Sequence, residues 1–300
     1  MIIADFFFNI SRRDYRLDKT TDVSIVIKTF ERFDNLKRLL DSLRRLNCQL
    51  PILVADDSKE PYETKIKTLF PDLNIQYYVL PFDTGLSGGR NFLLERLATS
   101  YFVLCDDDFI FDKRSRINWM KEQLVMNNLD ILGGVFFEYR PTTGWQWRWH
   151  VQMKRLLKRN ILLPATIVYN YFGCYTIDNG VCTVTQPTYT PPVTGCDFCH
   201  NFFIAKTASV RNVGGWKNEL KVGEHEHFFI KAKLNGLRVG TTQEAGIIHA
   251  NFYDTENDYS FFRTREKEFK VDALKEFGIE KVVNYREVFG YTFEAGANPS

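Results

Sequence analysis

The sequence predicts an α/β protein in a single domain, with a mainly parallel sheet and helices on both of its faces. Through the first half of the chain, apolar runs typical of buried strands alternate with helical stretches, which is the pattern of a parallel sheet. Of the 300 residues, 44% are hydrophobic, enough for one sizeable core. The chain shows no internal repeat, low-complexity tract or flexible linker that would divide it.

The first half is expected to contain four strands and three helices. The strand segments are apolar and often β-branched, and the helical segments carry leucines at helical spacing or begin at glycine. A sheet of this kind binds its ligands at the carboxyl ends of the strands. The expected strands are 23–30, 49–56, 75–81 and 101–105, and the expected helices are 34–46, 62–70 and 88–99.

The second half has fewer regular signals. One expected helix, within 219–236, follows an acidic loop and stops at an Asn-Gly pair, which is a good C-terminal cap. Strand patterns are expected at 130–140 and 237–251, the latter ending at His249, and a final charged helix at 258–277.

Tryptophans alternate with other residues at 144–151, just before a basic amphipathic stretch at 153–160. Three interpretations stay open. The rings could form a platform for an acceptor sugar, the two segments together could touch a membrane surface, or the rings could face the core beside a solvated helix.

Composition excludes some functions. Lysine and arginine total 39 against 37 acidic residues, so the chain has no basic footprint for nucleic acid. No run of 18 apolar residues predicts a membrane span.

Cys174 and Cys182 flank an expected hairpin turn, where a disulfide is one option. The pattern from Cys196 to His200 fits haem attachment or a zinc site less well than a strand edge with packed cysteines.

Three adjacent carboxylates, Asp106, Asp107 and Asp108, follow the fourth expected strand. Like charges repel and desolvated carboxylates are costly, so this arrangement needs a cation. Asp56 and Asp57 follow the second strand and are expected at the same rim of the sheet. A divalent cation carrying a diphosphate would satisfy these oxygens, and the alternative is a solvated acidic turn.

The segment "GLSGGRN" (85–91) comes one helix before the three aspartates. Its glycines allow close backbone approach, the start of a helix favours anions, and Arg90 adds a cation. It is therefore expected to bind the diphosphate, unless it is simply a helix that begins at glycine. The acidic "VADDS" (54–58) offers acceptors for a nucleobase or a ribose.

The order of these motifs resembles that of a known family. "SIVIKTFER", "ILVADDS", "GLSGGRN", "YFVLCDDDF", "GGW", "GEHEHFF" and "IIHA" follow one another as in glycosyltransferases of the GT-A fold. The pattern is most similar to β-1,4-N-acetylgalactosaminyltransferases of the ganglioside GM2/GD2 synthase kind, over roughly residues 22 to 251. The resemblance implies a Rossmann-like GT-A fold and a UDP-sugar donor.

The resemblance also implies which residues hold the donor. Thr29 and Asp57 would contact the uridine, Arg90 the diphosphate, and Asp197 and Asn201 the donor sugar. The complete set of expected donor-binding residues is Thr29, Asp57, Arg90, Asp106, Asp107, Asp197 and Asn201.

A metal site is implied by the same resemblance. Asp106 and Asp108 match the family's Asp-X-Asp motif, with Asp108 as the direct ligand and Asp106 also near the ribose. His249 matches a late histidine that completes the site. The expected cofactor is Mn²⁺ or Mg²⁺.

The catalytic base is expected in "GEHEHFF" (223–229), which departs from the family's Gly-Glu-Asp motif. Glu226 is the first choice, because it can project from the helix start into the cleft. Glu224 and His225 are the second and third. Residues two apart at a helix entrance are not expected to share one face, so only some can serve. The alternative is that these acids only complement the helix N-terminus.

These observations predict a metal-dependent, inverting glycosyltransferase that moves a sugar, GalNAc by resemblance, to a hydroxyl of a glycan or glycolipid. A nucleotidyltransferase that makes nucleotide sugars is one alternative, although "KTFERFDN" after the first strand lacks the glycine-rich loop expected there. A sugar-binding module without turnover is another.

The expected organisation is an N-terminal extension (1–21), a catalytic domain (22–251) and a C-terminal helical tail (252–300). Within the domain, 22–115 is the nucleotide-binding half and 116–251 the acceptor half. The expected compartment is the Golgi lumen if the chain is a fragment of an anchored enzyme, and the cytoplasm if it is full-length. The oligomeric state stays open.

Overall fold

The computed structural model describes Leu17 and residues 22–138, 167–250, 273–284 and 293–294. The tryptophan segment, the basic stretch after it and most of the expected final helix lie outside these residues. Within the described part of the chain, the helices are all too short or too polar to cross a bilayer.

The first half alternates strands and helices as predicted. Only the third helix begins clearly earlier than expected, at Gly85, where φ is +88° and glycine is therefore favoured. The elements are β1 (Val23–Thr29), α1 (Phe33–Arg45), β2 (Ile52–Asp56), α2 (Glu63–Leu69), β3 (Ile75–Val79), α3 (Gly85–Arg96) and β4 (Tyr101–Asp106).

The second half adds mostly strands. The predicted strand after Asp130, the helix that stops at Asn235 and the strand that ends at His249 are all present. The elements are β5 (Phe109–Ile110), α4 (Ile117–Met126), β6 (Ile131–Glu138), β7 (Ile167–Tyr169), β8 (Cys174–Asp178), β9 (Val181–Thr185), β10 (Thr194–Cys196), β11 (Phe203–Lys206), α5 (Thr207–Asn212), α6 (His225–Leu234), β12 (Val239–His249), β13 (Lys281–Asn284) and β14 (Phe293–Glu294).

One large sheet organises the molecule, in the order β10-β12-β6-β11-β4-β1-β2-β3, with β5 added to β12 and β7 to β6. The block β4-β1-β2-β3 is parallel, and β11 joins it in the antiparallel direction. Buried clusters of apolar side chains cover both faces of this sheet. The predicted fold class, a mainly parallel sheet with helices in a single domain, is confirmed.

The register of the parallel strands brings their polar ends together. Thr29 pairs with Asp56 across β1 and β2, and Lys28 pairs with Asp106 across β1 and β4. All three strands therefore end at the same edge of the sheet. The predicted acidic rim is present.

A smaller sheet, in the order β14-β13-β9-β8, carries the predicted hairpin, which turns at Asn179 and Gly180. Its two cysteines are not opposite each other, since Cys174 pairs with Thr185 and Cys182 with Ile177. All six cysteines are free thiols. A disulfide across this hairpin is therefore excluded in this structure.

The helical tail expected at 252–300 is wrong for the part that the structure describes. A 3₁₀ turn at Leu274–Phe277 is followed by β13, which lies parallel to β9, and by β14. The β-branched pair Val282 and Val283 favours a strand over a helix, and the free edge of β9 gives it a partner.

Candidate active site

A cleft of about 340 Å³ opens at the carboxyl ends of β1 and β4, between them and the start of α6. Part of its lining is acidic, and part consists of rings, here called the aromatic wall: Phe136, Tyr169, Tyr171, His200 and His225. The acidic residues of the cleft are Asp106, Asp107, Asp108, Glu224 and Glu226, and its remaining polar residues are Lys28, Thr29, Arg32, Asn201 and His249.

The protein supplies its own cations to the three aspartates. Arg32 lies 2.9 Å from a carboxylate oxygen of Asp107 and 2.9 Å from one of Asp108. The hydroxyl of Thr29 donates to the other oxygen of Asp107 at 2.7 Å. The sequence analysis missed Arg32 and assigned the balancing charge to a divalent cation, with a solvated acidic turn as the alternative. The sequence did contain a signal for this contact, because Arg32 comes just after β1, and β1 is the strand that pairs with β4.

Arg90, on α3, is only 1% exposed and does not line the cleft. Its guanidinium pairs with Glu224 and, at 2.8 Å, with Asp106, and it lies 5.6 Å from the ring centroid of Trp216. The two carboxylates raise the pKa of Arg90 although burial alone would lower it. Arg90 therefore holds two residues of the cleft in place, rather than reaching into it.

The start of α3 is occupied by protein groups as well. Gly85 N donates to Asp57 at 2.7 Å, and Leu86 N donates to the carbonyl of Lys221 at 2.9 Å. A Cβ on Gly89 would lie 2.4 Å from the side chain of Lys28, so this glycine makes room for that lysine. Two N–H groups of this helix start are therefore already used, and Leu86 is the residue of "GLSGGRN" that lines the cleft, so diphosphate binding by this segment stays a prediction.

The three aspartates differ in their pKa. Burial raises the pKa of Asp107 to about 7, although Arg32 opposes this. Burial also raises the pKa of Asp106, and the pairing with Arg90 offsets this only in part. Burial acts on Asp108 in the same direction, but contacts with His249 and Arg32 reverse it and lower the pKa. Asp108 is therefore the most firmly ionised of the three.

The donors around Asp108 fit a hard divalent cation. Its Oδ1 atom is buried and accepts no hydrogen bond from any residue that the structure describes. His249 Nε2 lies 3.4 Å from its Oδ2. Within the described ranges no three His, Cys, Asp or Glu side chains are already gathered for a metal. Mg²⁺ and Mn²⁺ are often held by one or two protein ligands plus substrate phosphates, so this small donor set is sufficient.

The N-terminal end of α6 points into the cleft, and Glu224, His225 and Glu226 all line it. The expectation that residues two apart do not share a face is wrong for Glu224 and Glu226, because an end of the helix, and not its side, faces the cavity. The conclusion that only some of the four residues can serve agrees with the structure. His227 alone lies apart from the cleft lining, and its Nε2 is 2.5 Å from Glu276 in the C-terminal 3₁₀ turn.

Of these three residues, Glu224 is buried and paired with Arg90. His225 Nδ1 lies 2.9 Å from Asn201 Oδ1, and Asn201 Nδ2 lies 3.5 Å from Asp106. Asn201 thus joins the two sides of the cleft. Glu226 is half-buried and is the carboxylate of this helix start that is not committed to Arg90.

Besides Arg90, two predicted donor-binding residues, Asp57 and Asp197, do not line the cleft. Asp57 is 1% exposed and forms a buried ion pair with Lys28. Asp197 accepts from Tyr175 N at 2.8 Å and from Lys233 at 2.7 Å, so it joins β8 to α6. Each carboxylate is paired with a lysine and accepts a hydrogen bond from a backbone N–H, and these partners stabilise its charge.

The Cys-X-X-Cys-His pattern belongs to the core. Cys196 and Cys199 are buried, and burial raises the pKa of both thiols. Both cysteines therefore stay in the thiol form, whereas metal and haem chemistry uses the thiolate. His200 turns to the other side and lines the cleft. The structure thus supports the packed-cysteine interpretation of this motif.

The fold and the acidic cleft define a glycosyltransferase domain of the GT-A type. The chain belongs to Glycosyl transferase family 2, whose family model matches residues 24–181.

Among curated proteins, the chain is 29% identical to β-1,4 N-acetylgalactosaminyltransferase 1 of Rattus norvegicus over 229 residues, covering 76% of this chain and 39% of the relative. It is 30% identical to β-1,4 N-acetylgalactosaminyltransferase 2 of Mus musculus, with the same coverage. The chain thus spans about 39% of the length of these relatives. The similarity inferred from the motif order is confirmed.

Solved structures share the fold. The structure of S. aureus TarS 1-349 in complex with UDP-GlcNAc gives a TM-score of 0.59 at 15% identity, covering 85% of this chain and 64% of that one. Mannosyltransferase PcManGT from Pyrobaculum calidifontis, in complex with GDP-Man and Mn²⁺, gives a TM-score of 0.54 at 14% identity, with the same coverage.

Proposed function

We propose that this chain is a metal-dependent, inverting glycosyltransferase that moves a sugar from a UDP-sugar to a hydroxyl of a glycan or glycolipid. The carrying observation is that the Asp108–His249 pair and Glu226 line the same cleft. Such a site has a position for a divalent cation and, separately, a carboxylate for proton transfer. GalNAc as the transferred sugar is supported by the names of the relatives.

Asp108 and His249 would hold the cation, and Thr29, Asp106, Asp107 and Asn201 would face the donor. A divalent cation bound there supplies positive charge that stabilises the departing diphosphate. The acceptor oxygen attacks the anomeric carbon as the bond from that carbon to UDP breaks. The proton of the acceptor hydroxyl passes to Glu226.

The alternatives are separated by family and by turnover. Family 2 consists of glycosyltransferases, so the nucleotidyltransferase interpretation is set aside. A sugar-binding module of the same fold would bind a UDP-sugar without releasing UDP.

The test is release of UDP from UDP-GalNAc, UDP-GlcNAc, UDP-Gal and UDP-Glc with Mn²⁺, with Mg²⁺ and with EDTA. UDP release that needs the metal and favours one sugar is expected. Asp108→Asn should lower the rate by about a hundredfold or more, while Arg32 keeps its contact with Asp107 and preserves the fold. Asp72→Asn, at an exposed site, is the matched control. Full activity in EDTA would contradict metal dependence.

A further inference from the structure

The aromatic wall is continuous from the proposed metal site to the start of α6. Phe136 lies 4.9 Å from the ring centroid of His249 and stacks on His200 at 3.8 Å. His200 lies 5.7 Å from Tyr171, and Tyr171 lies 5.4 Å from His225. Ring surface therefore lines the cleft from the proposed metal site to the start of α6.

This wall is unsuited to the charged part of a donor. Phe136 carries no charge, and burial lowers the pKa of His200 well below its ordinary value, so that its imidazole is neutral. Phosphates are bound chiefly by cations, and neither Phe136 nor the neutral His200 supplies one. Ring faces instead provide apolar area for a ligand with its own apolar face, and a tyrosine adds a hydroxyl at the edge.

Tyr171 lies at the end of the wall that adjoins the start of α6. Its ring contacts that of His225, the neighbour of Glu226 in sequence, whereas His249 and Asp108 lie at the opposite end of the wall. Its backbone N donates to His200 Nε2 at 2.7 Å, and its ring packs against Phe198 at 4.9 Å. The ring is therefore held in position before a ligand arrives, which lowers the entropic cost of binding.

We propose that Tyr171 determines acceptor specificity, by packing its ring against the apolar face of the acceptor's pyranose. This inference rests on the proposed function, because it assigns the base end of the cleft to the acceptor and the end with Asp108 to the diphosphate. The ligand class is a pyranoside whose ring C–H groups form one continuous face.

The kinetic test compares Tyr171→Leu, which removes the ring, with Tyr171→Phe, which keeps it. Tyr78→Leu is the matched control, since Tyr78 is half-buried on β3 and does not line the cleft. Methyl β-glycosides of Gal, Glc, GalNAc and GlcNAc serve as acceptors, with the preferred UDP-sugar as donor. Tyr171→Leu should raise the acceptor KM roughly tenfold or more, while Tyr171→Phe and Tyr78→Leu stay within about threefold of wild type.

The same variants are measured for hydrolysis of the UDP-sugar without acceptor, where the donor KM should not change. An equal rise in the donor KM would place the ring against the donor sugar and overturn the proposal. An acceptor KM that is unchanged in Tyr171→Leu would overturn it as well.

Saturation-transfer NMR with the same glycosides tests binding without turnover. Contact of one face of the pyranose with wild type, lost in Tyr171→Leu and kept in Tyr171→Phe, would support the proposal even if no UDP-sugar is turned over. Binding of this kind without turnover would show that the proposed function has failed while the inference about Tyr171 still holds. If none of the four glycosides binds the wild-type protein, with or without UDP, the proposal is wrong.

Discussion

Arg90 and Glu224 form a buried ion pair that joins α3 to the first turn of α6. The same guanidinium binds Asp106 at the end of β4. A residue expected to bind the diphosphate is instead a brace between the acidic rim and the helix that carries the proposed base. Arg90 does not line the cleft, and we propose that it positions both.

Replacing this brace should affect rate and stability together. Arg90→Lys keeps the charge but cannot pair with both carboxylates at once, so Glu224 and Asp106 are expected to shift. We expect kcat to fall by about tenfold to a hundredfold and the free energy of unfolding by about 3–5 kcal/mol. Steady-state kinetics and urea denaturation measure the two effects.

Arg96→Lys, on the exposed part of the same helix, is the control for this variant. If Arg90→Lys raises the donor KM and leaves kcat and stability unchanged, Arg90 binds the diphosphate as the sequence analysis expected.

The base is tested by Glu226→Gln, which removes the proton acceptor and preserves the shape of the side chain. We expect kcat to fall by about a hundredfold or more, with the donor KM retained. Glu224→Gln should instead lower stability along with rate, because it weakens the buried pair with Arg90. The imidazole of His225 would be the base if Glu226→Gln turns over at nearly the wild-type rate and His225→Ala is inactive but still binds UDP.

The resemblance implies that Asp57 contacts the uridine, in which case Asp57→Ala would raise the donor KM. The structure changes this prediction, because the substitution leaves Lys28 buried without its carboxylate. We expect Asp57→Ala to lower the free energy of unfolding by about 3–5 kcal/mol. Much of this loss should be regained in the double variant Lys28→Met/Asp57→Ala, measured by urea denaturation. A normal unfolding curve with a donor KM raised tenfold would argue for the uracil contact after all.

His200 should contribute a loss of stability on the acidic side, whereas the raised pKa of Asp107 acts in the opposite direction. Burial lowers the pKa of His200 well below 6.5, and the contact with the carbonyl of Tyr169 does not offset this. Below pH 6.5 the unfolded chain binds a proton that the folded state excludes, so the free energy of unfolding falls as pH falls.

The measurement is urea denaturation at a series of pH values from about 7.5 to 5, a window that spans the ordinary histidine pKa. His200→Gln should reduce the slope by up to about 1.4 kcal/mol per pH unit, the value for one proton. Some slope should remain, because burial also lowers the pKa of His227. A slope identical to that of wild type would show that His200 takes up its proton as readily in the folded chain as in the unfolded chain.

The sequence by itself determined the order of the strands and helices and the edge of the sheet at which the polar residues meet. Local periodicity is sufficient for this, because β1, β2 and β4 are apolar runs and each is followed by polar residues. The placement of Asp108, Asn201, Glu226 and His249 around one cleft agrees with what the motif order implied.

Only the tertiary structure decided which charges neutralise each other and which face the cleft. Arg32 binds Asp107 and Asp108, Lys28 binds Asp57, and Arg90 binds Glu224, each pair joining segments distant in sequence. Periodicity reports whether a side chain is buried, but not which opposite charge lies beside it in the fold. The direction of α6 is also a tertiary property, since an end-on helix presents consecutive residues that its helical repeat would place on different faces.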